Sequence, residues 1–308
     1  MKDQAATLRL MTAVQTLNAD GHQRGAALPL DGLKQGTSSR DRTVAIASGK
    51  GGVGKSNLAA NVALELAALG RRVSLLDADL ALANADVLLG LNPTYHLGHV
   101  LTGERSLRDV IIEVEGGVRL IPGGSGVEEL ANLTLSEHTR LIHELRAMED
   151  DSDFMLIDTA AGIAANVTGV LRAAAEVIIV TTPDPTSVVD AYATIKVIHA
   201  HSPQKPIWLV VNHTVGIGDA DQIFSQLRTA AARFLGHEVK LLGNVPRDPE
   251  LAEAVRQQTP VVNYAPDTAA SRAFRLIAKQ LDAQRLAAPT GDHSPSFWGA
   301  LVAPDGAH

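Results

Sequence analysis

Residues 43–287 predict an α/β fold, a mostly parallel sheet of about seven or eight strands with helices on both faces. Three observations carry this expectation. Short aliphatic or β-branched runs recur along the chain: "TVAIAS", "RVSLLD", "VRLIP", "DFMLID", "EVIIVTT", "IWLVVN" and "VKLLGNV". Helix-like stretches separate most of them, as when parallel strands are joined by helical crossovers. The runs are almost continuously apolar, which is how strands covered on both faces read.

The elements follow in chain order. Residues 3–18, "DQAATLRLMTAVQTLN", predict a short helix capped by Asp3, with Leu10, Val14 and Leu17 on one face. Residues 19–42 hold four glycines and a proline without a clean period and predict a flexible linker. The α/β texture begins at Thr43, with Trp208 in an apolar core strand. "VEELANLT" reads as a surface helix, and the last helix is expected over about 268–287. Residues 288–308 form a tail in which "SFWGALV" supplies Phe297, Trp298, Leu301 and Val302. That segment is expected to make weak contact with a membrane surface. No internal repeat is present.

Composition narrows the function. The chain has 308 residues and 45% hydrophobic content, enough for a large core without covalent staples. It contains no cysteine, which excludes disulfides, thiolate-bound zinc and iron–sulfur ligation by this chain alone. The net charge of -7 gives no global attraction to nucleic acid, and sequence-specific nucleic-acid binding is not expected. No signal-peptide pattern and no run of 18 apolar residues is seen, so the expected location is cytoplasmic. "HAH" at 199–201 lacks a third ligand in sequence and is not read as a metal site.

The chemistry concentrates in "IASGKGGVGKSNLAANVALELAALG", residues 46–70. Gly49, Gly54, Lys55 and Ser56 satisfy G-x-x-x-x-G-K-[ST], with a strand before and an amphipathic helix after, the context of a P-loop NTPase. Glycines let backbone N–H groups curl round a polyphosphate, and the helix N-terminus adds positive potential. Lys55 is placed to reach the β- and γ-phosphates, and the Ser56 hydroxyl to bind Mg²⁺. Asp158 ends the run "MLID" as the carboxylate that holds such a metal should. Asp77 ends "VSLLD", and Asp79 follows two residues later, giving carboxylates able to orient water and hold hydrated Mg²⁺. Lys50 is a second lysine that a phosphate loop does not need.

"GKGGVGKS" resembles the deviant Walker A motif of the MinD/ParA ATPases, and the likeness covers roughly residues 42–285. The resemblance implies ATP and Mg²⁺ as ligands, slow hydrolysis, and a homodimer formed on ATP binding. In it, Lys50 crosses to the phosphates of the other subunit. It implies that Gly49, Lys50, Gly51, Gly52, Val53, Gly54, Lys55, Ser56 and Asn57 form the nucleotide cradle. Asp79 becomes the switch I carboxylate that positions attacking water, Asp77 lies beside hydrated Mg²⁺, and Asp158 is the Walker B residue whose "DTAAG" leads into switch II. Asn212 in "LVVNHT" is implied to read adenine, with Pro246 and Arg247 of "NVPRDPELAEAV" packed on the base.

Three stretches resemble the flagellar-number branch of that family (FlhG/FleN, YlxH-like): "LLDADLALANADVLLGL", "TTPDPTSVVDAYATIKVI" and "DQAATLR". The branch implies a role in flagellar number or placement, with stimulation of the flagellar SRP-type GTPase FlhF by the N-terminal helix. Asp3, Gln4, Leu8 and Arg9 are the residues expected to meet that partner. Basal-body (C-ring) proteins, a flagellar transcription regulator and a peripheral membrane contact complete the implied set. A ParA-like partitioning or MinD-like division-site ATPase is the alternative. Two departures stand out. Ala160 occupies a switch II position where glycine or proline is expected, and no lysine or arginine follows Arg285 in the tail.

Overall fold

The computed structural model describes residues 42–79, 84–123, 151–216, 218–287 and 297. The segment expected to form the N-terminal helix, with the expected partner residues Asp3, Gln4, Leu8 and Arg9, the stretch 127–134 expected as a surface helix, and most of the tail lie outside the described residues.

The chain runs β1 (Arg42–Ala47), α1 (Lys55–Ala68), β2 (Val73–Ala78), α2 (Ala85–Leu88), α3 (Leu97–Leu101), α4 (Leu107–Val110), β3 (Ile112–Val114), β4 (Val118–Ile121) and β5 (Phe154–Thr159). It continues through α5 (Ala165–Ala173), β6 (Glu176–Thr181), α6 (Pro185–His201), β7 (Ile207–Thr214), α7 (Asp219–Leu235) and β8 (Val239–Pro246). Helices α8 (Pro249–Arg256), α9 (Val261–Tyr264) and α10 (Ala269–Ala287) close it. The strands form one eight-stranded sheet in the order β3-β4-β2-β5-β1-β6-β7-β8. Every pairing is parallel except β3 with β4, a three-residue antiparallel edge.

Side-chain alternation explains the apolar runs. Val44 and Ile46 of β1 join one core with α1 and α10, whereas Ala45 and Ala47 join a second core with α5, α6 and α7. Both faces are covered, so neither set of positions tolerates charge. Helix α1 departs from the expected amphipathic pattern: Leu58 through Leu66 are all buried. It is a central helix, with α10 and the sheet packed against it, and its alanines permit that close approach. Asn61 stays satisfied there, donating to the Asn57 carbonyl at 2.8 Å and accepting from the Val262 amide at 3.1 Å.

Two expectations are corrected. Arg42, expected as the last linker residue, is the first residue of β1. Its guanidinium is buried on Glu176, with Nε to Oε1 at 2.5 Å, and Nη1 donates to the Leu281 carbonyl at 2.6 Å. Glu176 also accepts from Trp208 Nε1 at 2.7 Å, so this buried pair is fully hydrogen-bonded. Phe297, offered by the sequence to a membrane, is instead 1% exposed within the second core. A ring of that size loses more apolar surface to water by packing than most side chains.

Candidate nucleotide site

In a parallel sheet the strand C-termini share one edge, and ligands bind outside it. Here that edge gathers the residues following β1 with Asp77 of β2 and Asp158 of β5. Asp77 and Asp158 are register partners on adjacent strands.

The glycine loop has the backbone its sequence requires. Gly52 and Gly54 have φ of 76° and 93°, a left-handed region costly for any residue with a Cβ. Gly49 is needed for a different reason: a Cβ there would collide with the Asp190 backbone of α6. Gly54 is also the N-cap of α1, and no side chain caps that helix, so its first N–H groups are left for a ligand. Lys55, Ser56 and Asn57 make up its first turn, and Gly51 is exposed.

Electrostatics bind the charged residues into one group. Lys55 is 8% exposed. Burial lowers its pKa, and the neighbouring carboxylates of Asp158 and Asp79 push it back up. Burial raises Asp158 to about 7; a hydrogen bond with Ser56 opposes the rise, and the charge of Asp77 adds to it. Its Oδ1 is buried with no hydrogen-bond partner among the described residues. A buried carboxylate oxygen without a partner is costly unless a cation is supplied. The oxygen chemistry of Ser56 and Asp158 fits Mg²⁺, which keeps most of its waters and takes one or two protein ligands.

Asp77 does something the sequence does not reveal. Its Oδ1 accepts from the Asp79 amide at 3.1 Å, and its Oδ2 from the Asn84 and Ala85 amides, each at 3.0 Å. It thus ties the end of β2 to the start of α2 across the segment that holds Asp79. Burial lifts it to about 6 despite those three backbone donors. With both oxygens so engaged, it suits contact with a metal's water shell better than direct ligation. Switch II is stitched to the same loop: the Gly162 amide donates to the Ser48 carbonyl at 2.8 Å, and Thr159 Oγ1 to the Ile46 carbonyl at 3.0 Å.

Asn212 is buried at the end of β7. Its Nδ2 donates to the Val53 carbonyl at 2.8 Å and its Oδ1 accepts from the His213 amide at 2.8 Å. It braces the glycine loop, and these two bonds use one of its two N–H groups and one of its lone pairs. Pro246 ends β8 opposite Thr214, and the Arg247 amide donates to the Thr214 carbonyl at 2.8 Å. Sequence reasoning missed His213, which has φ 58° and lies near Arg247. A non-glycine residue in that region marks stored strain, and such residues cluster at sites.

Lys50 stands apart from the carboxylate group. Its Nζ donates to Asp184 Oδ2 and to Thr186 Oγ1, both at 2.8 Å, at the N-terminus of α6. Asp184 and Thr186 were not site candidates; the available signal was "PDPTS", an N-cap aspartate before a proline at the first helical position.

Elsewhere, His199 meets His237 rather than His201, with ring nitrogens 3.2 Å apart. Among the described residues, no helix is long and apolar enough to cross a membrane.

Comparison with known proteins agrees with this geometry. A family model described as an AAA domain matches residues 41–205, and the ParA model, described as an NUBPL iron-transfer P-loop NTPase, matches residues 134–282. The chain is 40% identical over 261 residues to the Pseudomonas aeruginosa protein "Antiactivator FleN", covering 85% of this chain and 93% of that one. It is 35% identical over 236 residues to "Flagellum site-determining protein YlxH" of Helicobacter pylori, covering 76% and 80%. Among solved structures, the Mg-ADP complex of the septum site-determining protein MinD of Pyrococcus horikoshii superposes with a TM-score of 0.66 at 26% identity, covering 82% of this chain and 99% of that one.

Proposed function

Because the chain belongs to the MinD/ParA family of P-loop ATPases, we propose that it acts as an ATP-dependent dimerisation switch regulating flagellar number or placement. The position of Lys50 carries the switch reading. It lies in the glycine loop, yet its ammonium is bound to Asp184 and Thr186 at the surface, its side chain 42% exposed, which suits a lysine that serves a second subunit. The two relatives, an antiactivator and a flagellum site-determining protein by name, support the flagellar reading.

The geometry supports a division of labour. Loop amides and the α1 N-terminus hold the phosphates, and Lys55 neutralises the β- and γ-oxygens. Ser56 and Asp158 would hold Mg²⁺, which when bound would supply charge neutralisation at the transferring phosphoryl group. Asp79 orients the attacking water and accepts its proton, while Asp77 fixes the backbone that carries Asp79. Lys50 of each subunit stabilises transition-state charge in the other, so turnover requires the dimer. Asn212, Pro246 and Arg247 receive the adenine. The N-terminal helix, through Asp3, Gln4, Leu8 and Arg9, stimulates FlhF. C-ring proteins and a flagellar transcription regulator are further proposed partners, with a peripheral membrane contact.

The experiment is genetic. Deleting the gene should change the number or position of flagella per cell. The wild-type chain should restore it, and Lys55→Ala should not. Unchanged flagellation together with defective plasmid or chromosome partitioning would transfer the switch to the ParA-like reading.

A further inference from the structure

We infer that the last two turns of α7 and the turn into β8 form a second ligand site, which takes a phosphate monoester at the sheet edge away from the nucleotide.

Helix α7 begins beyond the carboxyl end of β7 and ends at Leu235, just ahead of β8. Its final turns therefore lie at the opposite edge of the sheet from the glycine loop. There they and residues 236–238 line an open groove of about 630 Å³. Sites for small molecules span about 300 to 1,000 Å³. Arg228, Thr229 and Arg233 supply the groove's hydrogen-bonding wall, and Ala232 and Gly236 its apolar floor.

The two arginines are what set this groove apart. The Arg228 guanidinium lies over the Phe224 ring, 5.3 Å from its centre, and that of Arg233 over Phe234 at 5.4 Å. A ring contact of this kind steadies the side chain and uses up no oxygen partner. Among the described residues, neither guanidinium takes a carboxylate or a carbonyl, whereas Arg71 and Arg119 are paired with Asp282 and Asp151.

Basic residues at a helix C-terminus often serve its last carbonyls. Here the backbone does that work. Gly236, at φ 65°, donates its amide to the Ala232 carbonyl at 3.2 Å, and the His237 amide donates to the Ala231 carbonyl at 3.3 Å. The arginine forks are left for something outside the helix.

Charge selects the ligand. Glu238 is the carboxylate on this wall, and Lys240 Nζ stands 4.0 Å from it and offsets its charge. His237 is 4% exposed, with its ring nitrogen 3.2 Å from that of His199, so the oxyanion falls to Arg228, Arg233 and Thr229. Two guanidinium forks and a hydroxyl match a dianion with three acceptor oxygens, which is a phosphate monoester near pH 7. A carboxylate carries half that charge. The apolar floor, with the exposed Phe234 beside it, is left for the organic part of the ester.

A phosphate monoester can be a free small molecule or a lipid headgroup, and the test has an arm for each. The full chain is used with Mg-ADP bound, so that the nucleotide edge is filled. Glycerol 3-phosphate is the free probe, read by calorimetry; vesicles containing phosphatidic acid are the lipid probe, read by co-sedimentation. Arg228→Gln and Arg233→Gln stay polar at exposed positions and should fold. Each should weaken binding by about 10-fold, the lower end for a hydrogen bond to a charged group because the groove is open. Arg256→Gln, which removes an exposed arginine elsewhere, should change nothing. Arginine-dependent binding of glycerol 3-phosphate supports the site and identifies a free ester; arginine-dependent binding of vesicles alone supports it and identifies a headgroup. Binding of neither probe, or equal losses in all three variants, overturns the site. Acetate that competes as well as glycerol 3-phosphate overturns the choice of a dianion.

Discussion

Asp77 and Asp158 lie directly opposite one another on neighbouring parallel strands, two buried carboxylates each 1% exposed. Burial raises both, to about 6 and about 7, and each folded carboxyl holds its proton more tightly than in the unfolded chain. Between about pH 4 and pH 7 the folded state binds more protons, so stability falls as pH rises through that window. Metal-free, nucleotide-free protein should therefore lose stability between pH 5 and 7.5, and Asp158→Asn should flatten that slope. Thermal scans of the two proteins across the range read the difference. Equal slopes would mean that Asp158 is ionised at low pH and solvated. Mg²⁺ with nucleotide should restore stability at the upper end, because ligation favours the ionised form.

Phosphate grip and water positioning sit on different residues, and their losses should look different. Lys55→Ala should weaken ATP binding roughly 10- to 150-fold, the worth of a charged hydrogen bond. Asp79→Ala should keep ATP, slow turnover by about 10²- to 10⁴-fold, and persist as a dimer. Equilibrium binding with a fluorescent ATP analogue and steady-state phosphate release separate the two; normal turnover in Asp79→Ala removes its assigned role.

Lys50→Ala should abolish dimerisation with a non-hydrolysable ATP analogue while the monomer still binds nucleotide. Size determination by light scattering beside a binding isotherm tests both halves. The folded monomer should survive, because the Lys50 ammonium is bound to the exposed Asp184 and Thr186.

Deleting residues 1–20 should leave ATP-dependent dimerisation unchanged and abolish stimulation of the FlhF GTPase. Sixteen residues are marginal for an isolated helix in water, so the segment is expected to gain order on its partner. A peptide of residues 1–20 should stimulate the GTPase by itself. Stimulation by the truncated chain equal to that of the full chain would return weight to the division-site and partitioning readings.

Phe297→Ala should lower the stability of the nucleotide-free chain by about 3 kcal/mol, the scale for truncating a buried aromatic. A drop of several degrees in Tm is the measurable form. The same burial works against lipid binding, because a tail that gives Phe297 to a membrane must first uncover the second core. Liposome co-sedimentation unchanged on deleting residues 293–308 would take the tail out of any membrane contact.

What could be read from the sequence was what is local. The seven aliphatic runs became β1, β2 and β4–β8, because both-sided burial leaves its mark on every residue of a strand. Lys55, Ser56 and Asp158 stood out because motif and strand end coincide, and the fold brings the three side chains together. Strand β3 was not, since "IEV" is too short to show a period and takes its register from β4. The Asp77 latch was hidden because its donors are backbone amides, which every residue has. The Lys50–Asp184 contact spans 134 residues, a distance over which no local pattern speaks. His213 adopts φ 58° without glycine to announce it.

Arg42 has a mechanical consequence. It is the first residue of β1 and is fastened at once to Glu176, to the Leu281 carbonyl and over the Phe154 ring. The phosphate loop leaves the opposite end of the same strand. A partner that tugs on the chain ahead of residue 42 loads this rivet, and the load is spread into β6 and α10 before it can travel along β1. A pull on the chain ahead of residue 42 is thus expected to meet the sheet and α10 through Arg42 before it meets the glycine loop.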